Sequence, residues 1–207
     1  MRNPWLDIPL DDYERHMALP QVAQAQLLSE LLVEAVSGYA PRSVALLGCA
    51  GGNGFERLET AGLERVVGVD INPKYLATAR ARFGASFPSL ELIAGDLQDA
   101  SVTFASVDLV FAGLLFEYVD VDLVLGRIRS MLEPGGVLRT VVQLPAATLP
   151  KISPSPYGSL AALASLMHLV PPELLTRHAA AHRYLETDAR TVDVAGKSFR
   201  VQDFRAG

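Results

Sequence analysis

The chain has 207 residues, half of them hydrophobic, so it is long enough to bury the core of one domain. Its formal net charge of −5 argues against broad electrostatic binding to nucleic acid, which needs a basic face. A single cysteine, Cys49, excludes an intramolecular disulfide, and no stretch approaches the roughly 20 apolar residues of a membrane span. These features predict one cytoplasmic domain without nucleic-acid or membrane partners.

Residues 1–40 are expected to form a helical cap. Between Pro20 and Gly38, apolar residues recur at helical spacing, with proline opening the segment and glycine closing it. Further upstream, Tyr13 and His16 are three residues apart and would share one face of a helical turn. Two interpretations stay open for this pair: a lid over a ligand, or a surface turn without a ligand role.

An apolar strand starting at Val44 runs directly into the glycine-rich loop 48–54, after which a helix is expected. Glycines let the backbone turn sharply and approach a ligand, and a helix N-terminus offers free N–H groups to a carboxylate or phosphate. A second strand, 66–70, ends in Asp70, at the spacing of about 20 residues that places a carboxylate on ribose hydroxyls. The G-x-G-x-x-G pattern of nicotinamide sites is absent, which disfavours an NAD-dependent oxidoreductase.

Strands and helices continue to alternate along the rest of the chain. Asn72 and Pro73 predict an N-cap and first turn, with a helix continuing to Arg82. Ala195-Gly196 predicts a hairpin turn between two C-terminal strands. This order favours parallel β-α-β units followed by an antiparallel pair. The strands predicted after Arg82 are 90–96, 107–111, 137–142, 184–194 and 197–204.

Taken in order, these motifs resemble the class I S-adenosylmethionine-dependent methyltransferases. The glycine loop resembles the first motif of that family, Asp70 its ribose-binding acid, and Asp96 its acid after strand three. The segment Leu132-Glu-Pro-Gly-Gly136 resembles its turn before strand five. The resemblance, over residues 43–144, implies an α/β, doubly wound, Rossmann-like fold within a single domain spanning 1–207. Its seven-stranded sheet would be mostly parallel, in the order 3-2-1-4-5-7-6, with a C-terminal antiparallel hairpin strand and helices on both faces.

The chain departs from the family pattern at two positions. Leu46 stands where the family usually has an acid, and Ala50 stands where it usually has its second glycine. Losing the acid removes a common contact to the loop or to the ammonium group of the ligand, whereas alanine adds only a methyl group. Leu46 therefore keeps open a second interpretation, a protein that binds S-adenosylmethionine without transferring its methyl group.

The resemblance implies that S-adenosylmethionine donates a methyl group to an O, N or C atom of a small acceptor. Asp70 would hold the ribose and Asp96 the adenine amino group, with Ile71 and Leu97 flanking the ring and Ala112 near the methionine end. The expected cofactor-binding residues are Gly48, Cys49, Ala50, Gly52, Gly54, Asp70, Ile71, Asp96, Leu97 and Ala112, together with Tyr13 from the lid. For Cys49, a small packed residue and a reactive thiol are both open interpretations.

Methyl transfer is a single in-line displacement, and a general base helps if the acceptor is a hydroxyl or a protonated amine. Glu117 and Tyr118 follow strand four, at the sheet edge where open α/β sheets bind ligands, and with His16 they are the expected catalytic residues. His168 is open to two interpretations, a base or a core histidine. No Asn/Asp-Pro-Pro-Tyr/Phe motif follows strand four, which lowers the expectation of a DNA or RNA acceptor.

The segment 145–177 contains six prolines and an apolar centre, Leu160–Val170, which predicts a short helix. It either covers the pocket of an apolar or aromatic acceptor, or packs on the sheet or against a second copy in a homodimer. His178 and His182 are four residues apart, as in a metal pair. No acid or cysteine near them in the sequence completes such a site, so no metal is predicted.

Overall fold

A computed structural model describes residues 3–146 and 149–207 of the chain. Its seven strands form one sheet in the order β3-β2-β1-β4-β5-β7-β6, which confirms the predicted order. The strands β1 to β5 pair in parallel, and β7 pairs antiparallel with both β5 and β6. The strands are β1 (Ser43–Leu47), β2 (Arg65–Asp70), β3 (Leu90–Ala94), β4 (Val107–Gly113), β5 (Leu132–Gln143), β6 (Tyr184–Val194) and β7 (Lys197–Ala206). The helices are α1 (Leu10–Ala18), α2 (Gln24–Tyr39), α3 (Pro73–Phe83), α4 (Val121–Ser130) and α5 (Pro172–Ala181).

Helices cover both faces of the sheet, as predicted. Side chains alternate along β1, so Val44 and Leu46 enter the apolar layer that contains α2 and α3, while Ala45 and Leu47 enter the layer that contains α4 and α5. Leu46, which replaces the usual acid, is therefore a core residue. No helix in the described parts of the chain is long and apolar enough to cross a membrane.

Two predicted helix ends differ from the structure, and one is confirmed. The helix α2 begins at Gln24 rather than near Pro20, because the N–H groups of Val22 and Ala23 donate to the Leu19 carbonyl and form a turn there. At its other end α2 continues through the predicted stop and finishes at Tyr39. The α3 start is confirmed, since the Asn72 side chain accepts from the N–H of Lys74 at 3.0 Å.

Two expected helices are short 3₁₀ turns instead. After the glycine loop only Phe55–Arg57 is helical, because Gly52 and Gly54 hold left-handed φ angles of 92° and 87° just before it. The helix N-terminus expected at this loop is therefore wrong. In the apolar segment, Gly158–Ser165 is a 3₁₀ helix, and the N–H of His168 donates to the Glu117 carbonyl rather than continuing a helix.

A buried ion pair joins the antiparallel strands to α2. Arg139 on β5 and Asp203 on β7 are 4% and 1% exposed, and the guanidinium binds both carboxylate oxygens at 2.7 and 2.6 Å. The same guanidinium also donates to the Leu31 carbonyl of α2 at 3.2 Å. Tyr39 at the end of α2 donates its hydroxyl to Asp203 at 2.6 Å. The pair therefore holds the helix against the sheet.

We predict that Asp203→Asn lowers the free energy of unfolding by about 3 kcal/mol, because it removes the buried counter-charge of the guanidinium and leaves only the half-exposed carboxylate of Glu34, 3.1 Å away. Urea denaturation followed by circular dichroism measures this change. The matched control is Glu64→Gln, which removes the carboxylate of the exposed Arg42–Glu64 pair and should have little effect. Equal effects of the two variants would contradict the role given to the buried pair.

Candidate functional site

A cleft lies at the carboxyl edge of the sheet, around the point between β1 and β4 where the strand order reverses. Open α/β sheets bind their ligands at this point. The cleft, with its open mouth, encloses about 1130 Å³. Its floor comes from the loops after five successive strands of the sheet: Gly48 and Ala50, Asp70 and Ile71, Asp96 and Leu97, Gly113 to Leu115 with Tyr118, and Gln143.

The glycine loop bends back over the sheet edge. The N–H groups of Gly48 and Cys49 both donate to the carbonyl of Val69, which fixes the start of the loop on β2. Ala50 has a left-handed φ of 49°, the conformation that the family glycine adopts without strain. At Gly52, an added Cβ would lie 2.7 Å from the Phe83 ring, so this position has no room for a side chain.

Asp70 connects this loop to the start of α3. One carboxylate oxygen accepts from the N–H of Ala50 at 2.9 Å, and the other accepts from the N–H of Asn72 at 2.8 Å. Burial raises the pKa of Asp70 to about 6, and the two N–H donors oppose that rise. The residue is 8% exposed and lines the cleft, where its oxygens can accept further hydrogen bonds.

Asp96 lines the cleft beyond β3, together with Leu97, and Ile71 does so beyond β2. The Asp96 carboxylate also accepts from the N–H of Gln98 at 2.9 Å, as an ordinary turn residue would. The structure therefore brings Asp70, Ile71, Asp96 and Leu97 together as the motifs predicted. The turn contact leaves the second oxygen of Asp96 facing only the weak 3.4 Å contact from the Gln98 amide.

Four predicted cofactor residues have positions outside this cleft. The side chain of Ala112 lies in the apolar layer that contains α4, because β4 alternates, and Gly113 and Leu114 line the cleft instead. Gly54 packs under α2, where an added Cβ would be 3.1 Å from Leu32. Cys49 and Gly52 line an adjoining cavity on the other side of the loop. Burial raises the pKa of the Cys49 thiol, as expected for a packed residue rather than a reactive one.

The helix α1 covers the cleft, and an ion pair fastens it to the glycine loop. Tyr13, His16 and Met17 of α1 all line the cleft. Arg82 on α3 binds both carboxylate oxygens of Glu14 on α1 and donates to the carbonyl of Gly51 at 3.2 Å. Around Tyr13, aromatic rings close the cover: Trp5 lies edge-on at 5.4 Å and Tyr75 stacks at 6.4 Å between ring centroids.

Of the two residues predicted after β4, only Tyr118 lines the cleft. Glu117 is 1% exposed and does not line it; one carboxylate oxygen accepts from the N–H of Gln143 at 2.7 Å. The other oxygen has no hydrogen-bond partner among the described residues, and burial raises the pKa of Glu117 to about 7. A direct part in proton transfer does not fit this position, because the 3₁₀ turn 116–118 directs the two side chains differently.

One of the four histidines lines the cleft, and the other three lie outside it. His16 lines the cleft, and burial, followed by the charge of Lys197, lowers its pKa, so the ring is neutral at pH 7. His168 is exposed and lies outside the cleft. Both interpretations given for it, a base at the site and a buried core histidine, are therefore wrong. His178 and His182 both contact the same Asp122 oxygen at 2.9 Å, an acid that sequence spacing did not reveal. Even so, no group of three side chains suited to a metal ion occurs in residues 3–146 and 149–207.

Sequence reasoning missed the wall of the cleft at the end of β5. Gln24 of α2 and Gln143 at the end of β5 line the cleft there, together with apolar residues of segment 145–177. Gln143 could have been predicted to line the cleft because it lies at the end of a strand. Gln24 could not, because tertiary packing decides which face of its helix turns toward the cleft. The apolar residues of the segment that line the cleft are Ile152, Leu160, Leu163 and Met167.

We predict that Glu117→Gln removes a pH dependence of stability. The folded-state pKa of about 7 lies above the ordinary value of 4.5, so the native state binds the proton more tightly and loses stability as pH rises through that window. Between pH 5 and 8 the wild type should lose about 2–3 kcal/mol more than the variant. Urea titrations at both pH values measure this, with the exposed Glu173→Gln as control. Parallel losses in wild type and Glu117→Gln would refute the assignment.

The sheet order, the glycine loop and the acid after β2 define the class I S-adenosylmethionine-dependent methyltransferase fold, whose members use S-adenosylmethionine as methyl donor. Residues 46–140 match the family described as a methyltransferase domain. The chain thus has the fold of this class and carries its domain signature.

Individual relatives agree with that assignment. Trans-aconitate 2-methyltransferase from Acidovorax sp. (strain JS42) is 35% identical over 116 residues, which are 55% of this chain and 42% of that protein. The match therefore spans less than half the length of this curated relative. Magnesium protoporphyrin IX methyltransferase from Synechocystis PCC 6803 has a TM-score of 0.70 at 14% identity, covering 95% of this chain and 94% of that chain. The N-methyltransferase NodS from Bradyrhizobium japonicum WM9, in complex with S-adenosyl-l-homocysteine, has a TM-score of 0.62 at 20% identity, covering 97% and 89%. At these identities the two structures show the fold alone.

Proposed function

We propose that this chain is an S-adenosylmethionine-dependent methyltransferase that acts on a small molecule. The observation that carries the proposal is the position of Asp70, a buried carboxylate that ends β2, lines the cleft and also orders the glycine loop. Two protein relatives support it, one named for methylating trans-aconitate and one crystallised with S-adenosylhomocysteine.

In this proposal the cofactor lies along the floor of the cleft. Asp70 accepts from the ribose hydroxyls, Asp96 accepts from the adenine amino group, and Ile71 and Leu97 pack on the ring. The backbone of Gly48 and Gly113 borders the methionine end, since both residues line the cleft there. When bound, the cofactor supplies an electrophilic methyl group.

The protein contributes alignment and exclusion of water. We propose that residues 1–40 act as a cap and 145–177 as a second cover, since both segments line the cleft above its floor. Tyr118 and His16 lie on the acceptor side, and a neutral His16 ring can take a proton from an acceptor hydroxyl or amine. Binding without transfer is the alternative that Leu46 raised, and turnover separates it from the proposal.

The first experiment is calorimetric titration with S-adenosylmethionine, S-adenosylhomocysteine and NAD. We expect micromolar binding of the two sulfur ligands and none of NAD, followed by transfer of a labelled methyl group to small acceptors. Binding without transfer to any acceptor would favour the inactive alternative, and binding of NAD alone would favour an oxidoreductase.

We predict that Asp70→Ala weakens S-adenosylhomocysteine binding by roughly 10- to 100-fold, because hydrogen bonds to a charged group contribute about 1.5–3 kcal/mol. Calorimetry measures the affinity and circular dichroism checks the fold. The control is Asp193→Ala, an exposed aspartate of β6 outside the cleft, which should bind as the wild type does. Unchanged affinity in Asp70→Ala would mean that the ribose is held elsewhere.

A further prediction concerns the cover. Glu14→Gln removes the charge that fastens α1 to Arg82, so S-adenosylhomocysteine should leave faster, by a few-fold, while its association rate changes little. Stopped-flow displacement measures the rate. Asp11→Asn, which breaks the exposed Asp11–Arg15 pair on the same helix, is the control. An unchanged release rate in Glu14→Gln would show that α1 does not need this contact to stay closed.

A further inference from the structure

The acceptor side of the cleft holds polar side chains that the protein itself leaves without partners. His16 is 5% exposed, lines the cleft, and its Nδ1 has no hydrogen-bond partner among the described residues. Gln24 is 7% exposed, lines the cleft, and makes no side-chain hydrogen bond within the described parts of the chain. The Nδ1 of His16 is fully buried and does not reach the cleft, so the polar atoms available there are His16 Nε2 and the Gln24 amide. Neither has a partner in the described chain, so both can bind a polar ligand group.

A buried cation stands directly behind this wall. Lys197, the first residue of β7, is 4% exposed, and its ammonium donates to the Gln143 side-chain oxygen at 3.2 Å and to the Lys151 carbonyl at 2.6 Å. No carboxylate within the described residues forms an ion pair with it. Lys197 lies one side chain behind the cleft, because Gln143, whose oxygen it contacts, lines the cleft.

Other charged groups near this end do not neutralise the cation. The ammonium of Lys151, which lines the cleft, donates to the Met167 carbonyl and adds a second positive charge. Glu117 contacts the backbone of Gln143, but it has no contact with Lys197, and its raised pKa leaves it only partly ionised at pH 7. A buried ammonium without a counter-charge is unfavourable, and a bound anion would relieve this.

The remaining surface here is apolar. Leu160, Leu163 and Met167 of segment 145–177 line the same end of the cleft. A ligand that satisfies this surface therefore has an apolar body and one anionic group. Asp70 and Asp96 follow β2 and β3, across β1 and β4 from Gln143 on β5, so they do not compete for this end.

The Gln143 amide nitrogen donates one N–H to the Lys151 carbonyl at 3.1 Å, which leaves its second N–H available. We infer that the acceptor is a carboxylate-bearing small molecule whose carboxylate binds between His16, Gln24 and this second N–H of Gln143, near Lys197, with its apolar body against segment 145–177. The inference rests on the proposed function and names the substrate class of that site. Lys197, together with the positive charge of Lys151, then makes the cleft select an acid over its neutral analogue.

Calorimetry on the full chain tests this with two acid–amide pairs, benzoate with benzamide and octanoate with octanamide, each with and without saturating S-adenosylhomocysteine. The wild type should bind each acid at least tenfold more tightly than its amide. Lys197→Met, which keeps the length of the side chain and removes the charge, should lose at least tenfold in acid affinity. Its affinities for the amides and for S-adenosylhomocysteine should not change.

Two further variants complete the test. Lys74→Met removes the exposed lysine of α3 and should behave as the wild type. Lys74 is the one lysine of the sequence besides Lys151 and Lys197. Gln24→Leu should weaken acid binding without touching Lys197, and it serves if Lys197→Met does not fold. A wild type that binds the acids no better than the amides overturns the inference even if S-adenosylhomocysteine binds. If S-adenosylhomocysteine does not bind, the proposed function fails, and the titrations without it still report whether the cleft selects acids.

Discussion

The cleft depends on one buried carboxylate. Asp70 accepts hydrogen bonds from the N–H groups of Ala50 and Asn72, so a single side chain orders both the loop after β1 and the turn that starts α3. Burial of the charge is unfavourable and raises its pKa, and the two donors reduce that penalty. A ligand hydroxyl in the cleft would add a further donor to the same oxygens. Occupation of the site would thus further reduce the cost of burying this charge.

The covers over the floor are held by different kinds of contact. The helix α1 is fastened by the Glu14–Arg82 ion pair, which is partly exposed, whereas segment 145–177 is held by apolar packing and by backbone contacts such as His168 to Glu117. Exposed ion pairs weaken with salt, and apolar contacts do not. The two covers also contact each other, because the Ser159 hydroxyl donates to the Asp12 carboxylate at 2.7 Å and Tyr13 packs with Leu160 and Leu163. Salt that weakens the α1 ion pair is therefore expected to loosen segment 145–177 as well.

The fold and the presence of Gly48, Asp70 and Asp96 along one cleft could be predicted because their signals are local. A strand that ends in glycines, an acid at the end of the next strand and an Asn-Pro cap each act within a few residues, and the structure places Gly48, Asp70 and Asp96 as expected. The acceptor end could not be predicted in this way. Glu117 was assigned from its position after β4, but the direction of its side chain depends on contact with Gln143, 26 residues away.

The predicted length of the helix in the apolar segment was wrong for a related reason. The apolar run 160–170 has the composition of a helix, but the N–H of His168 donates to a carbonyl from another part of the chain, which interrupts it. The His178–Asp122–His182 cluster shows the same limit, since its acid comes from a different helix. Sequence periodicity predicts which side chains are neighbours within one helix or strand. It does not predict the contacts between elements that form when the chain folds.

The polar wall formed by His16, Gln24 and Gln143, with Lys197 behind it, includes residues from both ends of the chain, whereas the remaining floor residues lie between positions 48 and 118. The floor and the wall are thus encoded by separate stretches of sequence. Mutations in the first cap helix or the last hairpin can reshape one without disturbing the other. Under the proposed function, changes at the two ends of the chain can therefore alter the acceptor while the middle keeps the same donor.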